Sequence, residues 1–367
     1  MTFVPQRPWP RREFLRRTLA AGAGLAAANL VGACAKSSPD QRAAAGDDLG
    51  PIESELNLYL WSDYVAETTI PNFEKEFGVQ VTLDTFESNE EMIAKLLAGA
   101  SGYDLILPTS NLFAALFAND LVAPLNRRYL TNWANVAPIF VDPRWDPGNA
   151  HSVPWAWGTT GIVYRKDKVT APPDSWSVFF DSAYRGKMTM LDDIRDVIGT
   201  FLKYRGKSLN SSAPADLAQA KADAVAAKAN LKAYVSAPVK AQLIAGDVWL
   251  AQLWSGDAAQ AMAEQPELGY VIPKEGSMIF TDGLAIPKTA RHRRAAHEFM
   301  NYVLRPEVGA AIADKTGYGT PNQAALPLTR AKVPYPTAEE LARLEYQTDL
   351  GAATQEWDRL WTEIKAA

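Results

Sequence analysis

Apolar and polar residues alternate where the chain first shows a regular pattern. Leu56, Leu58 and Leu60 recur at every second position, which predicts a strand with one buried face. A helix is predicted from Pro71 onward, because proline suits a first helical turn, and Gly78 is placed to end it. The fold is therefore predicted to start as a strand followed by a helix.

The same alternation of strand and helix continues further along the chain. A second strand is predicted over 79–85, where apolar side chains again occupy every second position. Ser88-Asn89-Glu90-Glu91 is a capping-box pattern that predicts a helix start, and 103–107 is a short apolar stretch typical of a strand buried in a parallel sheet. This β-α-β-α-β order predicts an open α/β sheet, in which ligands bind beyond the carboxyl ends of the strands.

The later chain repeats this style with less regular spacing. No glycine-rich phosphate loop, internal repeat or transmembrane run is recognisable in the sequence. Further elements are predicted as a strand over 187–191, an alanine-rich surface helix over 213–233, a strand over 280–287 that enters an apolar core, and a helix over 295–304.

Length and charge narrow the class of protein. With 367 residues, 47% of them hydrophobic, two lobes are favoured over a single core. The formal net charge of −5 argues against sequence-independent nucleic-acid binding and is compatible with a cationic ligand. Cys34 is the only cysteine, and the three histidines have no partner at metal-ligand spacing. We therefore expect no intramolecular disulfide, no metal site and no cofactor.

The start of the sequence has the features of an export signal. Residues 10–17 read Pro-Arg-Arg-Glu-Phe-Leu-Arg-Arg and precede a weakly apolar stretch, which resembles a twin-arginine signal. Small residues before Cys34 resemble a lipobox, which favours a lipidated cysteine over a soluble signal that happens to contain one. We expect a signal over 1–33, a flexible tether over 34–54, and a protein held by lipid at the outer face of the cytoplasmic membrane or in the periplasm.

Acids and aromatic residues cluster at predicted strand ends. Trp61-Ser62-Asp63-Tyr64 ends the first strand, and Thr109-Ser110 follows the third. Carboxyl ends of neighbouring parallel strands meet at one edge of a sheet, so these groups are expected to share a crevice. The later chain adds an acidic pair, an aromatic crossover segment over 154–158 and two aromatic–acid pairs: Asp193 and Asp196, Trp254 and Asp257, Phe280 and Asp282.

Each of these later residues also has a simple structural interpretation. Asp193 could cap a helix, Arg195 could neutralise Asp196, and Trp254 could belong to the core. Together they describe a cavity of acids and aromatic faces, which suits organic cations. A carboxylate replaces the lost water of an ammonium group with charge-assisted hydrogen bonds. An aromatic face adds ~0.5–2 kcal/mol of cation–π attraction.

Several stretches in order resemble one family of transport proteins. From about Leu58 to Trp361, the chain is similar to the extracellular spermidine/putrescine-binding proteins of polyamine ABC importers. The shared stretches are 61–64, 86–90, 103–108, 153–160, 272–276, 284–287, 302–306 and 317–322.

The resemblance implies a fold and a mode of action. The expected architecture is α/β, a two-lobed type II periplasmic-binding-protein fold with crossover hinge strands that closes on its ligand. The lobes are expected over 55–157 plus 284–325 and over 158–283 plus 326–367. A monomer is expected, with a polyamine as ligand and the membrane permease of an ABC importer as partner.

The resemblance also assigns ligand-binding roles. Asn111 and Phe280 stand where the spermidine-binding type has an aromatic and a tryptophan, and Asp196 where it has a glutamate. The pocket mixes spermidine-type and putrescine-type features, and its five aspartates, including Asp63 and Asp257, favour spermidine by a small margin. The ligand-binding residues implied are Trp61, Ser62, Asp63, Tyr64, Thr109, Ser110, Asp193, Asp196, Trp254, Asp257, Phe280, Asp282, Tyr318 and Gln347.

Two other functions remain open at the level of sequence. The same scaffold could bind a sugar or another organic amine, because sugar sites also combine aromatic residues with carboxylates. An exported hydrolase could use two of the acids as general acid and base. The sequence contains no Gly-x-Ser-x-Gly nucleophile elbow, which ranks the hydrolase below binding.

Overall fold

The computed structural model describes residues 48–99, 102–236, 238–330, 332 and 334–367. The predicted export signal, Cys34 and most of the predicted tether lie outside these residues. The residues Leu49–Ala367 form one compact unit. Within the described part of the chain, no helix combines the length and apolar character needed to cross a membrane.

Strands and helices alternate along this unit. The strands are β1 (Glu55–Trp61), β2 (Gln80–Phe86), β3 (Leu105–Ile106), β4 (Val122–Ala123), β5 (Ser152–Arg165), β6 (Met188–Met190), β7 (Leu231–Tyr234), β8 (Leu250–Trp254), β9 (Leu268–Val271), β10 (Ser277–Pro287) and β11 (Leu344–Tyr346). The α-helices are α1 (Thr69–Phe77), α2 (Asn89–Leu97), α3 (Phe113–Ala118), α4 (Ile194–Tyr204), α5 (Pro214–Lys228), α6 (Val239–Ala245), α7 (Ser255–Glu264), α8 (Arg293–Val303), α9 (Pro306–Thr316), α10 (Ala338–Leu341) and α11 (Thr354–Ala366). Short 3₁₀ turns lie between several of them.

The first strand and helix follow the local pattern of the sequence. The alternating leucines of β1 are fully buried, as expected for one face of a strand. Helix α1 begins at Thr69, so Pro71 is its third residue and lies within the first turn, where its missing N–H costs little. Gly78 ends the helix with a φ of 68°, a left-handed conformation that glycine adopts without steric cost.

The prediction of one surface helix over 213–233 is wrong in two respects. Helix α5 ends at Lys228, and the chain then forms β7, which pairs in parallel with β6. One face of α5, which consists mostly of alanine side chains, is also buried, because Leu217, Ala220 and Ala224 pack into an apolar core. Alanine gives a weak apolar signal in sequence, yet its small side chain lets helices approach closely.

Two long strands connect the two halves of the sheet. Strands β2, β1 and β3 are parallel neighbours, and so are β8, β6 and β7. Between them, β5 and β10 run antiparallel, and every residue of both strands is buried. The first part of β5 pairs with β10, whereas its last part pairs with β8 and β9. Both strands therefore pass from one half of the molecule to the other.

Separate apolar cores lie on the two sides of these crossover strands. One contains Leu58 of β1 and Phe299 of α8, and another contains Phe201 of α4 and Trp357 of α11. The architecture is thus a two-lobed α/β fold with crossover strands, as the resemblance implies. The residue boundaries of the lobes given above stay a prediction.

Candidate functional site

The residues expected to bind the ligand are placed by the ends of strands and helices. Carboxyl ends of parallel strands converge at one edge of each lobe, which brings polar groups from distant sequence positions together. Most of these residues end or follow a strand: β1 (Trp61, Ser62, Asp63, Tyr64), β3 (Thr109, Ser110), β6 (Asp193, Asp196), β8 (Trp254, Asp257) and β11 (Gln347). Phe280 and Asp282 lie within β10, and Tyr318 follows α9.

Asp282 is held by hydroxyl groups from two other elements. Its Oδ2 accepts a hydrogen bond from Tyr64 Oη at 2.8 Å, and its Oδ1 accepts one from Thr109 Oγ1 at 2.7 Å. The register between β10 and β5 shifts beside it, between Asp282 and Gly283. The side chain is 2% exposed, and burial raises its pKa to about 7, although both hydroxyl donors act in the opposite direction. The unliganded carboxyl is therefore partly protonated near neutral pH.

Tyr318 connects this group to a second carboxyl. Its hydroxyl donates to Asp257 Oδ2 at 3.2 Å, and its ring lies 5.2 Å from the Tyr64 ring and 5.9 Å from the Phe280 ring. Burial raises the pKa of Asp257, nearby Lys240 partly offsets this, and the charge of Asp63 adds to it. Three aromatic rings and two acids thus form one wall.

A second group of contacts surrounds Asp196 at the start of α4. Its Oδ1 accepts a hydrogen bond from Thr160 Oγ1 at 2.6 Å, and its Oδ2 accepts one from Trp254 Nε1 at 3.1 Å. Burial, followed by the charge of Asp193, raises the pKa of Asp196 to about 8. The indole of Trp254 therefore has a polar role at this carboxyl as well as an apolar face.

Asp193 caps the same helix. Its Oδ1 accepts the backbone N–H groups of Arg195 and Asp196 at 2.8 and 2.9 Å, which confirms the cap interpretation. Burial raises the pKa of Asp193 in spite of these two bonds. The Arg195 guanidinium donates to the Thr348 carbonyl and to Asn210 rather than to Asp196, but its charge partly offsets the rise in the pKa of Asp193 and Asp196.

Two of these carboxyls, Asp196 and Asp282, are buried and two, Asp193 and Asp257, are half-buried, and none of the four contacts a protein cation directly in the described part of the chain. Among the described residues, no lysine, arginine or histidine forms an ion pair with Asp193, Asp196, Asp257 or Asp282. In the same part of the chain, no group of three or more histidine, cysteine or acidic side chains could hold a metal ion. Buried ionised groups are costly unless paired, so this arrangement can take up a cation that donates hydrogen bonds.

The other predicted residues at the end of β1, Trp61, Ser62 and Asp63, form no hydrogen bond to the four carboxyls above in the described part of the chain. Trp61 packs on Phe86 at 4.6 Å between ring centroids, and its buried Nε1 has no partner among the described residues. Ser62 Oγ donates to Glu87, 2.5 Å away. Asp63 is exposed and has a left-handed φ of 56°, which aspartate tolerates better than most residues.

Two predicted residues form no side-chain hydrogen bond within the site among the residues that the structure describes. Ser110 is buried at the start of a short 3₁₀ turn. Gln347 is half-buried directly after β11, where its neighbour Tyr346 lies 3.1 Å from the Thr281 hydroxyl. The structure places both next to strands that carry other site residues, and their ligand contacts stay predictions.

Three polar residues of this region were missed from sequence. Thr160 holds Asp196, and its position at the end of a family-like stretch, 153–160, was the only available signal. Tyr270 of β9 contacts Thr159 and lies near Asp196, whose charge adds to burial in raising the pKa of that phenol. Glu90 of α2 is exposed, and its pKa is raised, first by loss of hydration and then by the charge of Asp193. The charge of Glu90 is therefore coupled to that of Asp193, which caps α4.

Comparison with known proteins identifies the family of the chain. The profile of the family described as bacterial extracellular solute-binding protein matches residues 68–341. A putrescine/cadaverine-binding protein of Pseudomonas aeruginosa is 34% identical over 340 residues, covering 88% of this chain and 96% of that protein. A spermidine/putrescine-binding periplasmic protein of Escherichia coli is 32% identical over 331 residues, with 88% and 94% covered.

A solved structure supports the same relationship. The putative spermidine/putrescine ABC transporter from Listeria monocytogenes superimposes with a TM-score of 0.81 at 34% identity, covering 85% of this chain and 99% of that one. The two-lobed architecture is therefore that of a periplasmic binding protein, and the family transports substrates rather than converting them. The chain belongs to the bacterial extracellular solute-binding proteins, as a relative of the putrescine- and spermidine-binding members.

Proposed function

We propose that this protein captures a polyamine between its lobes and delivers it to the permease of an ABC importer. The observation that carries the proposal is a set of carboxyls with raised pKa values, Asp196, Asp257 and Asp282, that form no ion pair with a cation among the described residues. A protonated amine supplies the missing charge and donates the hydrogen bonds that an ionised carboxylate accepts. The relatives named above, which bind putrescine, cadaverine or spermidine, support this class of ligand.

The two groups of contacts define separate positions for ammonium groups. One ammonium binds at Asp282, beside the rings of Tyr64 and Tyr318, and another binds at Asp196, beside the Trp254 indole. The aromatic faces cover the methylenes between the amines and add cation–π attraction. Polar groups at both ends and apolar walls between them match the alternating chemistry of a polyamine.

Spermidine is the ligand that we favour over putrescine. Putrescine carries two ammonium groups, and the Asp282 and Asp196 positions suffice for them. Asp63, Asp193 and Asp257 then remain for a third charge, and Asp63 is close enough to Asp257 to influence its pKa. A third ammonium near this pair relieves the repulsion between two carboxylates.

Isothermal titration calorimetry of the purified protein tests the proposal. We expect saturable heat with putrescine, spermidine and spermine, with the lowest dissociation constant for spermidine. A matching rise in melting temperature is expected, since a ligand that binds only the folded state stabilises it. Absence of heat and of a melting shift with all three amines would remove the proposal. Binding of a glycan in place of them would select the sugar alternative.

We also propose that Cys34 anchors the exported protein to the membrane by lipid. The support is the lipobox-like stretch that ends at the single cysteine, behind paired arginines. Detergent partitioning and intact-mass measurement of the mature protein test this. Cys34→Ala should move the protein from the detergent phase to the aqueous phase. Equal partitioning of both forms would favour a soluble exported protein.

A further inference from the structure

The Tyr318 side chain is held in a slot lined by glycines. Gly317 ends α9 with a φ of 71°. Gly319 exchanges two backbone hydrogen bonds with Trp157 of β5, 3.0 and 2.9 Å long. A Cβ atom on Gly319 would lie 2.5 Å from the Trp157 indole, so the backbone approaches this ring as closely as only glycine allows. The segment is therefore fixed on both sides of Tyr318.

The ring of Tyr318 occupies the space where other residues would carry a side chain. A Cβ on Gly256 would lie 2.4 to 2.5 Å from three ring carbons of Tyr318. A Cβ on Gly158 would lie 2.9 Å from the same ring and 2.8 Å from the Phe280 ring. All these distances are shorter than carbon–carbon contact allows. Gly158 and Gly256 thus leave room for the ring on the β5 and α7 sides.

The backbone of Gly256 does not itself require glycine. This residue lies in the first turn of α7, is not among the described residues with positive φ, and alanine is the better helix former. A Cβ on Gly317 would lie 2.6 Å from the carbonyl oxygen of Gly256. That contact constrains residue 317 and not residue 256, because alanine at 256 would have the same carbonyl. The missing side chain at 256 is therefore explained by the Tyr318 ring.

We infer that Gly256 is a positioning residue for the polyamine site, acting through Tyr318. The Tyr318 ring packs against the Tyr64 ring at a tilt of 52°, and its hydroxyl donates to Asp257, the residue after Gly256. A methyl group at 256 displaces the ring and separates the Tyr318 hydroxyl from Asp257. The aromatic wall and the acid beside it then lose their relative positions. This inference rests on the proposed function for its ligand and on the glycine slot for its geometry.

A double-mutant cycle with a control glycine tests the inference. The variants are Gly256→Ala, Tyr318→Ala and their combination, and the control is Gly199→Ala in α4, where a Cβ meets Leu209 at 3.4 Å, an ordinary contact. Calorimetry with spermidine measures affinity. We expect Gly256→Ala to raise the dissociation constant by about tenfold or more in the wild-type background and by less than about twofold beside Tyr318→Ala. Gly199→Ala should stay within about twofold of wild type.

Thermal unfolding of the unliganded variants separates this inference from the proposed function. Gly256→Ala should lower the melting temperature, and Tyr318→Ala should remove most of that loss, because the ring no longer clashes. If Gly256→Ala fails to fold, recovery of folding in the double variant supports the slot. Equal losses in both backgrounds, or wild-type affinity in Gly256→Ala, would overturn the inference. Wild-type protein that binds no polyamine while the thermal cycle holds would remove only the proposed function.

Discussion

The carboxyl of Asp282 accepts two hydrogen bonds, and its burial disfavours the ionised form. Two hydroxyl groups, from Tyr64 and Thr109, bond to its oxygens, and the side chain is almost completely buried. An asparagine has nearly the same shape, and the hydroxyls can reorient to donate to its oxygen and accept from its nitrogen. An asparagine at 282 should therefore preserve the fold, but it cannot supply the negative charge that attracts an ammonium group.

We predict that Asp282→Asn separates binding from stability. The dissociation constant for spermidine should rise by about tenfold or more, because the partner charge of one ammonium is lost. The melting temperature of the unliganded protein should stay the same or increase, since no buried charge remains. Calorimetry and thermal unfolding measure the two effects. Exposed Asp247, changed to asparagine, is the matched control and should leave affinity unchanged. Unchanged affinity in Asp282→Asn would exclude this residue from the site.

At this scale, the sequence identified the acids and aromatic residues of the candidate site better than their hydrogen-bond partners. The acids and aromatic residues stand out because they follow apolar strands, as Asp193 follows β6. The hydroxyls of Thr160 and Tyr270 do not, because they lie inside strands where a polar residue has many structural uses. Their roles depend on contacts between positions far apart in the chain.

At the scale of elements, helix α4 combines a structural and a proposed functional role in its first turn. One oxygen of Asp193 accepts two backbone N–H groups, and three residues later Asp196 points to Thr160 and Trp254. The cap fixes where the helix starts, so it also fixes the position of Asp196. Loss of the cap should therefore affect both stability and the site.

Two substitutions at Asp193 distinguish these roles. Asp193→Ala should lower the free energy of unfolding by about 1 kcal/mol, because the cap is lost. Asp193→Asn should stay within about 0.5 kcal/mol of wild type, since asparagine caps as well as aspartate. Both should weaken spermidine binding if the charge at this position faces the ligand. Urea denaturation and calorimetry make the comparison, and a binding loss confined to the alanine variant would leave Asp193 with the cap role alone.

Elements with a local signal were predictable, and elements defined by pairing were not. Helix α1 and strand β1 follow from alternation, a proline and a glycine in the sequence. The 14 residues of β5 are buried throughout, so they show no alternation and give no period. The pairing of its two parts with β10 and β8 is a property of the assembled sheet. Before the resemblance, the sequence marked only residues 154–158 as a crossover segment, and the resemblance supplied the hinge strands.

At the scale of the whole molecule, the acids of the site couple folding to pH. Asp196 and Asp282 have pKa values of about 8 and about 7 in the fold, far above that of an unfolded aspartate. Between the unfolded and folded values, the native state binds more protons than the unfolded state. The stability that this contributes is complete below the unfolded pKa and is lost as pH rises through the folded pKa.

We predict opposite pH responses for unliganded stability and for ligand affinity. From about pH 6.5 to about pH 8.5, the free energy of unfolding should fall by about 1–3 kcal/mol as these carboxyls ionise. Most of the opposite contribution of buried His297, whose pKa is lowered, falls below this interval, because it fades as the pH rises past the unfolded histidine value. Over the lower part of this interval, from about pH 6.5 to about pH 7.5, spermidine affinity should rise, because the carboxylates ionise while the ammonium groups stay largely charged. Binding near neutral pH should then release protons, so the calorimetric heat should depend on the ionisation enthalpy of the buffer.

Combining Asp196→Asn with Asp282→Asn should flatten the dependence of the free energy of unfolding on pH. Equal slopes in the variant and the wild type would instead assign the pH dependence to other groups.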